Sequence, residues 1–243
     1  MQMIISVSFT VLSVCCMCFL GFMLYQQFTR KAENLTVENS RQLLNQTTIN
    51  LEDYLRNMRR ISDAMYYSVI KNTDIGNESL EDSMTLLYEA NKDKLVSVAC
   101  YTNDGNLTAA SPIATEKTGV DVSTQKWFQD AEDELENFHF STPHVQNLFD
   151  DPSYRYYWVV SLSRTVELTR NGSSLLGVLL VDMNYSSIEQ LLKKANTDTS
   201  GEYVYLMASD GEIIYHPKQN MIHMGMYQEN NKKAAGYEDT TIE

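Results

Sequence analysis

The stretch "LLGVLLVDMNYSSIEQLL" carries an unbroken apolar run that ends on a carboxylate, Asp182. An ionised carboxylate buried without partners costs several kcal/mol, so this acid must be hydrogen-bonded, paired, or set at a cavity that admits a partner. A second role is open to it: capping the helix that starts near Tyr185. Trp127 and Phe128 sit side by side in "STQKWFQDAEDEL", where Trp127 either fills a core or walls a cavity. Tyr156 and Tyr157 point to opposite faces if both lie in one strand, so at most one of them enters a cavity. Tyr101 and Arg164 are further candidates. No catalytic site is read among these residues. There is no G-x-S-x-G, P-loop or H-E-x-x-H, and no paired cysteine outside the N-terminal apolar run. The four His residues are scattered, and His139 and His144 lack the spacing and companions of a metal site. Nothing in the sequence requires a metal or a cofactor.

The elements that would position these side chains follow from periodicity. "LVSVACYT" and "NLTAAS" are strands around an "NDG" turn at Asn103 to Gly105. A short capped helix bears Trp127, and "FHFSTPHV", "YRYYWVVSLSRTVEL", a turn at "RNGSS" and "LLGVLLVDMN" complete an antiparallel meander. The last of these is apolar on both faces, which places it centrally in the sheet and not at an edge. Asp150, Asp151 and Pro152 form a turn. Helices followed by an antiparallel meander with an inserted helix give an α+β fold. "GEYVYLMASDGEIIYHP" then repeats the strand–turn–strand pattern, with its turn at Ser209 to Gly211. Too little chain follows to cover a second core, so the sequence reads as part of a longer protein that stops inside a domain.

Upstream, residues 4–25 carry no charged side chain, and a helix of that length spans a hydrocarbon core of roughly 30 Å. The run exceeds a signal-peptide core and no A-x-A-like site follows, so it is read as an uncleaved membrane anchor. Arg30 and Lys31 follow the span, and a literal positive-inside count would put the remainder in the cytoplasm. Between Gly21 and Gly76 there is neither Gly nor Pro, and Leu51, Leu55, Met58, Ile61, Met65 and Val69 recur on one helical face. That stripe packs on the domain it precedes and can add a homodimer contact. "NTDIGNESLED" stops this helix and starts another over about residues 79–92, with Asn77 or Ser79 as its cap.

The chain has a formal net charge of -13, which argues against nucleic acid, since a phosphate footprint needs clustered Lys and Arg. Cys15, Cys16 and Cys18 lie in the apolar span, so Cys100 is alone in the rest and no internal disulfide forms there. The sequons at Asn34, Asn45, Asn77, Asn106, Asn171 and Asn184 are read as products of an Asn-, Ser- and Thr-rich composition.

The order of these motifs, from the membrane helix through "CYTNDG", "WF" and "GVLLVDMNYSSIEQLL" to "DGEIIYHP", resembles the double Cache (tandem PAS-like) sensor over nearly the whole chain. It looks most like the sensor regions of Gram-positive YesM-like histidine kinases. The resemblance implies an anchor at 1–29, a long signalling helix at 30–75, a membrane-distal ligand-binding domain at 76–196 and an incomplete membrane-proximal one at 197–243. It also implies a plasma-membrane protein whose soluble part is extracytoplasmic, against the charge count at Arg30 and Lys31, with a second span and a cytoplasmic signalling module to follow. In amine- and amino-acid-sensing members an Asp pairs with the ligand's ammonium while aromatics wall the pocket, roles that Asp182, Trp127 and Tyr157 match. The family's carboxylate-binding Arg, two residues before the Trp, is here Gln125, and the aromatic after the Trp is Phe128, without a hydroxyl. Those departures turn the expected ligand from an α-amino acid towards an amine, a nucleobase or another polar metabolite, with Asp182 accepting N–H bonds.

Overall fold

A computed structural model describes residues 2–113, 115–134, 137–151, 156–196, 203–208, 211–231 and 236. The chain divides into two compact units, Met1–Thr48 and Ile49–Glu243. The first is helical throughout its described length, within helix α1 (Gln2–Ala64), and is apolar and long enough to cross a membrane. Its Leu12, Phe19, Phe22 and Phe28 are all exposed.

In the second unit α1 ends at Ala64 and the chain widens into a π-turn, Met65–Val69, before a 3-10 turn, Ile70–Asn72. The sequence predicts an unbroken helix to residue 75, and the widening departs from that expectation. It lets Met65 and Ile70 both reach full burial, two residues a regular helix would rotate onto different faces. Asp74 then accepts the amide of Gly76 at 2.9 Å and those of Asn171 and Gly172 at 2.7 and 2.9 Å, joining the helix end to a distant hairpin tip. These bonds, the Gly76 amide foremost, hold the Asp74 carboxyl below its ordinary pKa. Helix α2 spans Glu81–Asn91, and Ser79 Oγ accepts the Glu81 amide at 3.1 Å, as its start predicts.

The sheet is formed by β1 (Leu95–Thr102), β2 (Leu107–Ser111), β3 (His139–Phe140), β4 (His144–Val145), β5 (Trp158–Arg170) and β6 (Ser173–Asn184). Its order is β2-β1-β6-β5-β3, with β4 also on β5, and every pairing of these strands is antiparallel. The β6 strand is central, as its doubly apolar sequence predicts. Asn171 (φ 51°) and Gly172 (φ 74°) make the β5–β6 turn, both in the left-handed region that a two-residue hairpin of this hand requires. Arg170 therefore stands opposite Ser173, and the register runs without a slip to place Ser161 opposite Asp182.

Alternation gives the sheet two different faces. On one, Val98, Cys100, Leu162, Val166, Leu179 and Val181 pack with Met58, Ile61 and Met65 of the helical segment. Cys100 is fully buried there, and burial pushes its thiol up to about 12. On the other, Ala99, Tyr101, Val178 and Leu180 pack under α3 (Lys126–Asp133), which presents Phe128 and Ala131. Ser163 and Thr165 of β5 donate to the carbonyls of Trp127 and Ala131, so the helix bearing the indole is bonded directly to the sheet. A Cβ at Gly177, in the middle of β6, would strike the Tyr101 carbonyl oxygen and the Leu168 side chain. Gly177→Ala is accordingly expected to cost about 2–3 kcal/mol, read as a lowered melting temperature, because backbone cannot yield as a side chain tip can.

Helix α4 (Ser186–Ala195) follows β6, and the short strands β7 (Leu206–Met207) and β8 (Ile213–Tyr215) pair antiparallel before α5 (Gln219–His223). These strands are the predicted second hairpin. Ser209 and Asp210 of its turn lie outside the described residues, as does Pro152 of the predicted turn at 150–152. The hairpin is held by Glu229, whose Oε2 accepts from the Tyr203 and Tyr227 hydroxyls at 2.7 and 2.9 Å and lies 3.1 Å from Nε2 of buried His216. Burial alone would raise this carboxyl, but the bonds from Tyr203, Tyr227 and His216 bring it below its ordinary range.

Candidate functional site

Asp182 is 1% exposed and lies on the α3 face of β6. Its neighbours across both strand pairs are serines: Ser97 Oγ donates to Oδ2 at 2.6 Å, and Ser161 Oγ donates to Oδ1. Burial raises its pKa above the ordinary carboxylate value, against the pull of the Ser161 and Ser97 hydroxyls and the nearby His144 imidazole. A carboxylate has about four acceptor positions, so the two serine bonds leave lone pairs free. These have somewhere to point, because Asp182 borders a cavity of about 530 Å³. Trp127, half-buried, forms part of its wall, with His144, Gln146, Ser163 and Leu180 around it. The volume is that of an ordinary small-molecule site.

The helix-cap role falls to another residue: Asn184 Oδ1 accepts the Ser186 amide at 2.9 Å at the start of α4. Asp182 is thus free of that task.

The other predicted site residues are dispersed. Phe128 and Tyr101 are fully buried in the core beneath the cavity, their rings each 5.7 Å from the Trp127 ring. They pack against the indole and do not line the cavity. The pKa of the Tyr101 hydroxyl is raised, first by burial and then by the Glu116 and Asp182 carboxylates. Tyr157 precedes β5 and lines a different chamber, beyond Ser97. It and the exposed Tyr156 lie outside β5, so the strand alternation expected of them does not apply.

Arg164 is on the opposite face of the sheet from Asp182, since β5 places Ser161 and Ser163 on the cavity side and the even-numbered residues on the helix side. There its guanidinium meets Asp63 Oδ1 at 2.6 Å and lies 5.1 Å from the Tyr66 ring centroid and 4.6 Å from that of Phe138. It is a helix contact and does not line the cavity.

Residues not nominated from sequence complete the site: Ser97, Ser161, Ser163, His144 and Gln146. The serines carried a signal, because "SLSRT" is polar at every second position within a strand otherwise fit for burial. His144 Nδ1 lies 2.9 Å from the Thr142 carbonyl oxygen and its Nε2 3.4 Å from Ser161 Oγ. The hydroxyl stands between the acid and the imidazole, whereas nucleophile activation needs the imidazole between the other two. Among the described residues no three His, Cys, Asp or Glu side chains are grouped to hold a metal ion. Lys126, which lines the cavity, is held by both oxygens of Asp130 at 2.8 Å, and Gln125 beside it is uncharged.

Residues 28–242 match the family described as Cache domain (dCache_1). This chain belongs to the Cache-domain family. Its fold is that of bacterial chemoreceptor ligand-binding domains. It resembles the Pseudomonas aeruginosa amino acid chemoreceptor PctC, solved in complex with GABA, at 20% identity and a TM-score of 0.53, over 72% of this chain and 71% of that one. For Pseudomonas fluorescens CtaA with L-serine the values are 18%, 0.53, 72% and 69%. For Campylobacter jejuni Tlp3 with 4-methylisoleucine they are 16%, 0.51, 74% and 69%. No curated protein matches the chain in sequence.

Proposed function

We propose that this chain is the extracytoplasmic small-molecule sensing region of a membrane signal-transduction receptor, anchored by its N-terminal helix and acting as a homodimer. The reading is carried by one observation: a fully buried carboxylate with unused lone pairs borders a cavity walled by an indole. Such an acid is costly to keep unless a solute with N–H donors completes its bonding. The ligand classes it fits are amines, nucleobases and polar metabolites with amide edges. An α-carboxylate would meet Gln125 and an already paired Lys126 instead of a free cation.

The signal passes through β5. Its alternate residues touch the cavity (Ser161, Ser163) and the helix (Arg164), so a ligand that draws Asp182 and Ser161 together biases how the sheet sits on the π-turn of residues 65–69. A switch from mostly off to mostly on requires the ligand to favour one packing by about 5 kcal/mol, within reach of charge-assisted bonds and stacked rings. The output we propose is a YesM-like two-component histidine kinase. A chemoreceptor output is the second reading, favoured by the chemoreceptor folds this unit resembles. The codons after 243 separate them: a second span, a HAMP-like linker and a His-bearing helix belong to the kinase.

The sensing role is tested by thermal-shift screening of the chain in nanodiscs against amines, amino acids, nucleobases and organic acids. At least one of the first three classes is expected to raise the melting temperature, with the effect lost in Asp182→Asn. No shift with any class would refute the reading.

A further inference from the structure

The Asp182 cavity has a neighbour. A second chamber, also of about 530 Å³, is lined by Tyr88 of α2, Lys92 just after it, Ser97 of β1, Ile113, Phe149 and Tyr157. The two chambers meet at a thin partition. Gln146 lines both, and the Ser97 that lines the second is the residue bonded to the Asp182 that lines the first.

The partition is chemically unfinished. The Gln146 main chain is fixed, its amide donating to the Tyr157 carbonyl at 2.9 Å, yet its side-chain amide has no hydrogen bond among the described residues. The side-chain amides of Gln125 and Asn147 on the first chamber are likewise uncommitted there. Each offers a C=O acceptor and N–H donors side by side, the complement of a peptide group. An acceptor carboxylate beside the partition, an uncommitted amide on the partition itself and further room past it suit a linear chain of amides better than a single compact solute.

We infer that the ligand is a short linear peptide or peptide-like amide that places its terminal ammonium or first N–H on Asp182 and runs past Gln146 into the second chamber. The inference rests on the sensing role above and narrows its ligand class.

The test is calorimetric titration of the chain in nanodiscs with L-alaninamide, di-L-alaninamide and tri-L-alaninamide, which share their end groups and differ only in length. The affinity should rise at least tenfold from the first to the third. In Gln146→Trp, which fills the partition, the ratio of the third to the first should fall to about one. Gln146→Ala, which only removes the amide, should cut that ratio about threefold and serves if the larger side chain disturbs folding. Equal affinities for the three, or a ratio unchanged in both variants, would overturn the inference. If none of the amides binds while a single small solute does so in an Asp182-dependent manner, the peptide class is wrong and the sensing role stands. If no compound of any class binds, both are wrong.

Discussion

Asp182→Asn is expected to raise the melting temperature of the unliganded protein while abolishing ligand binding. The substitution keeps the shape of a side chain that is 1% exposed and keeps partners for Ser97 and Ser161, since an amide can accept from one hydroxyl and donate to the other. What it removes is the cost of an ionised group in a low-dielectric site. A gain of about 1–2 kcal/mol, or roughly 3–8 °C, is the scale for relieving such a burial. The pH dependence has a definite sign. Burial raises the Asp182 carboxyl, so the folded state holds its proton more tightly than the unfolded one. The wild-type protein is least penalised below the ordinary carboxylate value, loses stability as pH rises from there through the raised value, and stays reduced above it. The difference between variant and wild type should therefore vanish in acid and reach its full size only as pH rises through the raised value. Binding moves the other way: loss of the charged acceptor should weaken an ammonium ligand at least a hundredfold, about 3 kcal/mol. A melting temperature that falls at neutral pH would mean the carboxylate is structural.

Arg164→Ala should give the complementary result, lost stability with ligand affinity kept within about twofold. The guanidinium is in contact with Asp63 at 2.6 Å and with the rings of Tyr66 and Phe138, and its side chain is only 14% exposed. One ion pair and two ring contacts together are worth about 2 kcal/mol at such a half-covered site. Tyr66 belongs to the π-turn, so the same change should erase any ligand-induced protection of amides at residues 58–69 in hydrogen exchange. A hundredfold loss of affinity in this variant would place Arg164 in the ligand site after all.

The contrast between these two residues shows what the sequence made legible. The meander, the central place of β6 and the short helix bearing Trp127 follow from alternation and turn chemistry alone. The face on which each side chain lies was also within reach. Counting back from the two-residue Asn171–Gly172 turn, with Arg170 opposite Ser173, sets Ser161 against Asp182 and puts Arg164 on the other side. The serines that complete the acid's bonding could have been found this way, and Arg164 set aside. The cavity itself could not, because its far wall comes from residues 141–148, a segment with only a two-residue strand and no periodic pattern. Nor could the π-turn, since its residues, "MYYSV", continue the apolar helical stripe and the widening is imposed by packing on the sheet. The place of Tyr157 is hidden for a related reason: the strand begins after it, so alternation does not govern where its ring goes.

The most direct measurement uses the fact that the chain has two tryptophans, one of them on the cavity. Replacing Trp158, which is exposed and outside that wall, by Phe leaves Trp127 as the sole indole. Titrating this variant with a compound that raises the melting temperature should give a saturable change in Trp127 emission whose midpoint equals the dissociation constant from calorimetry, and Asp182→Asn should remove it. A compound that binds with that constant and leaves the indole emission untouched would show that the solute goes elsewhere and that the carboxylate beneath it is not a receptor group.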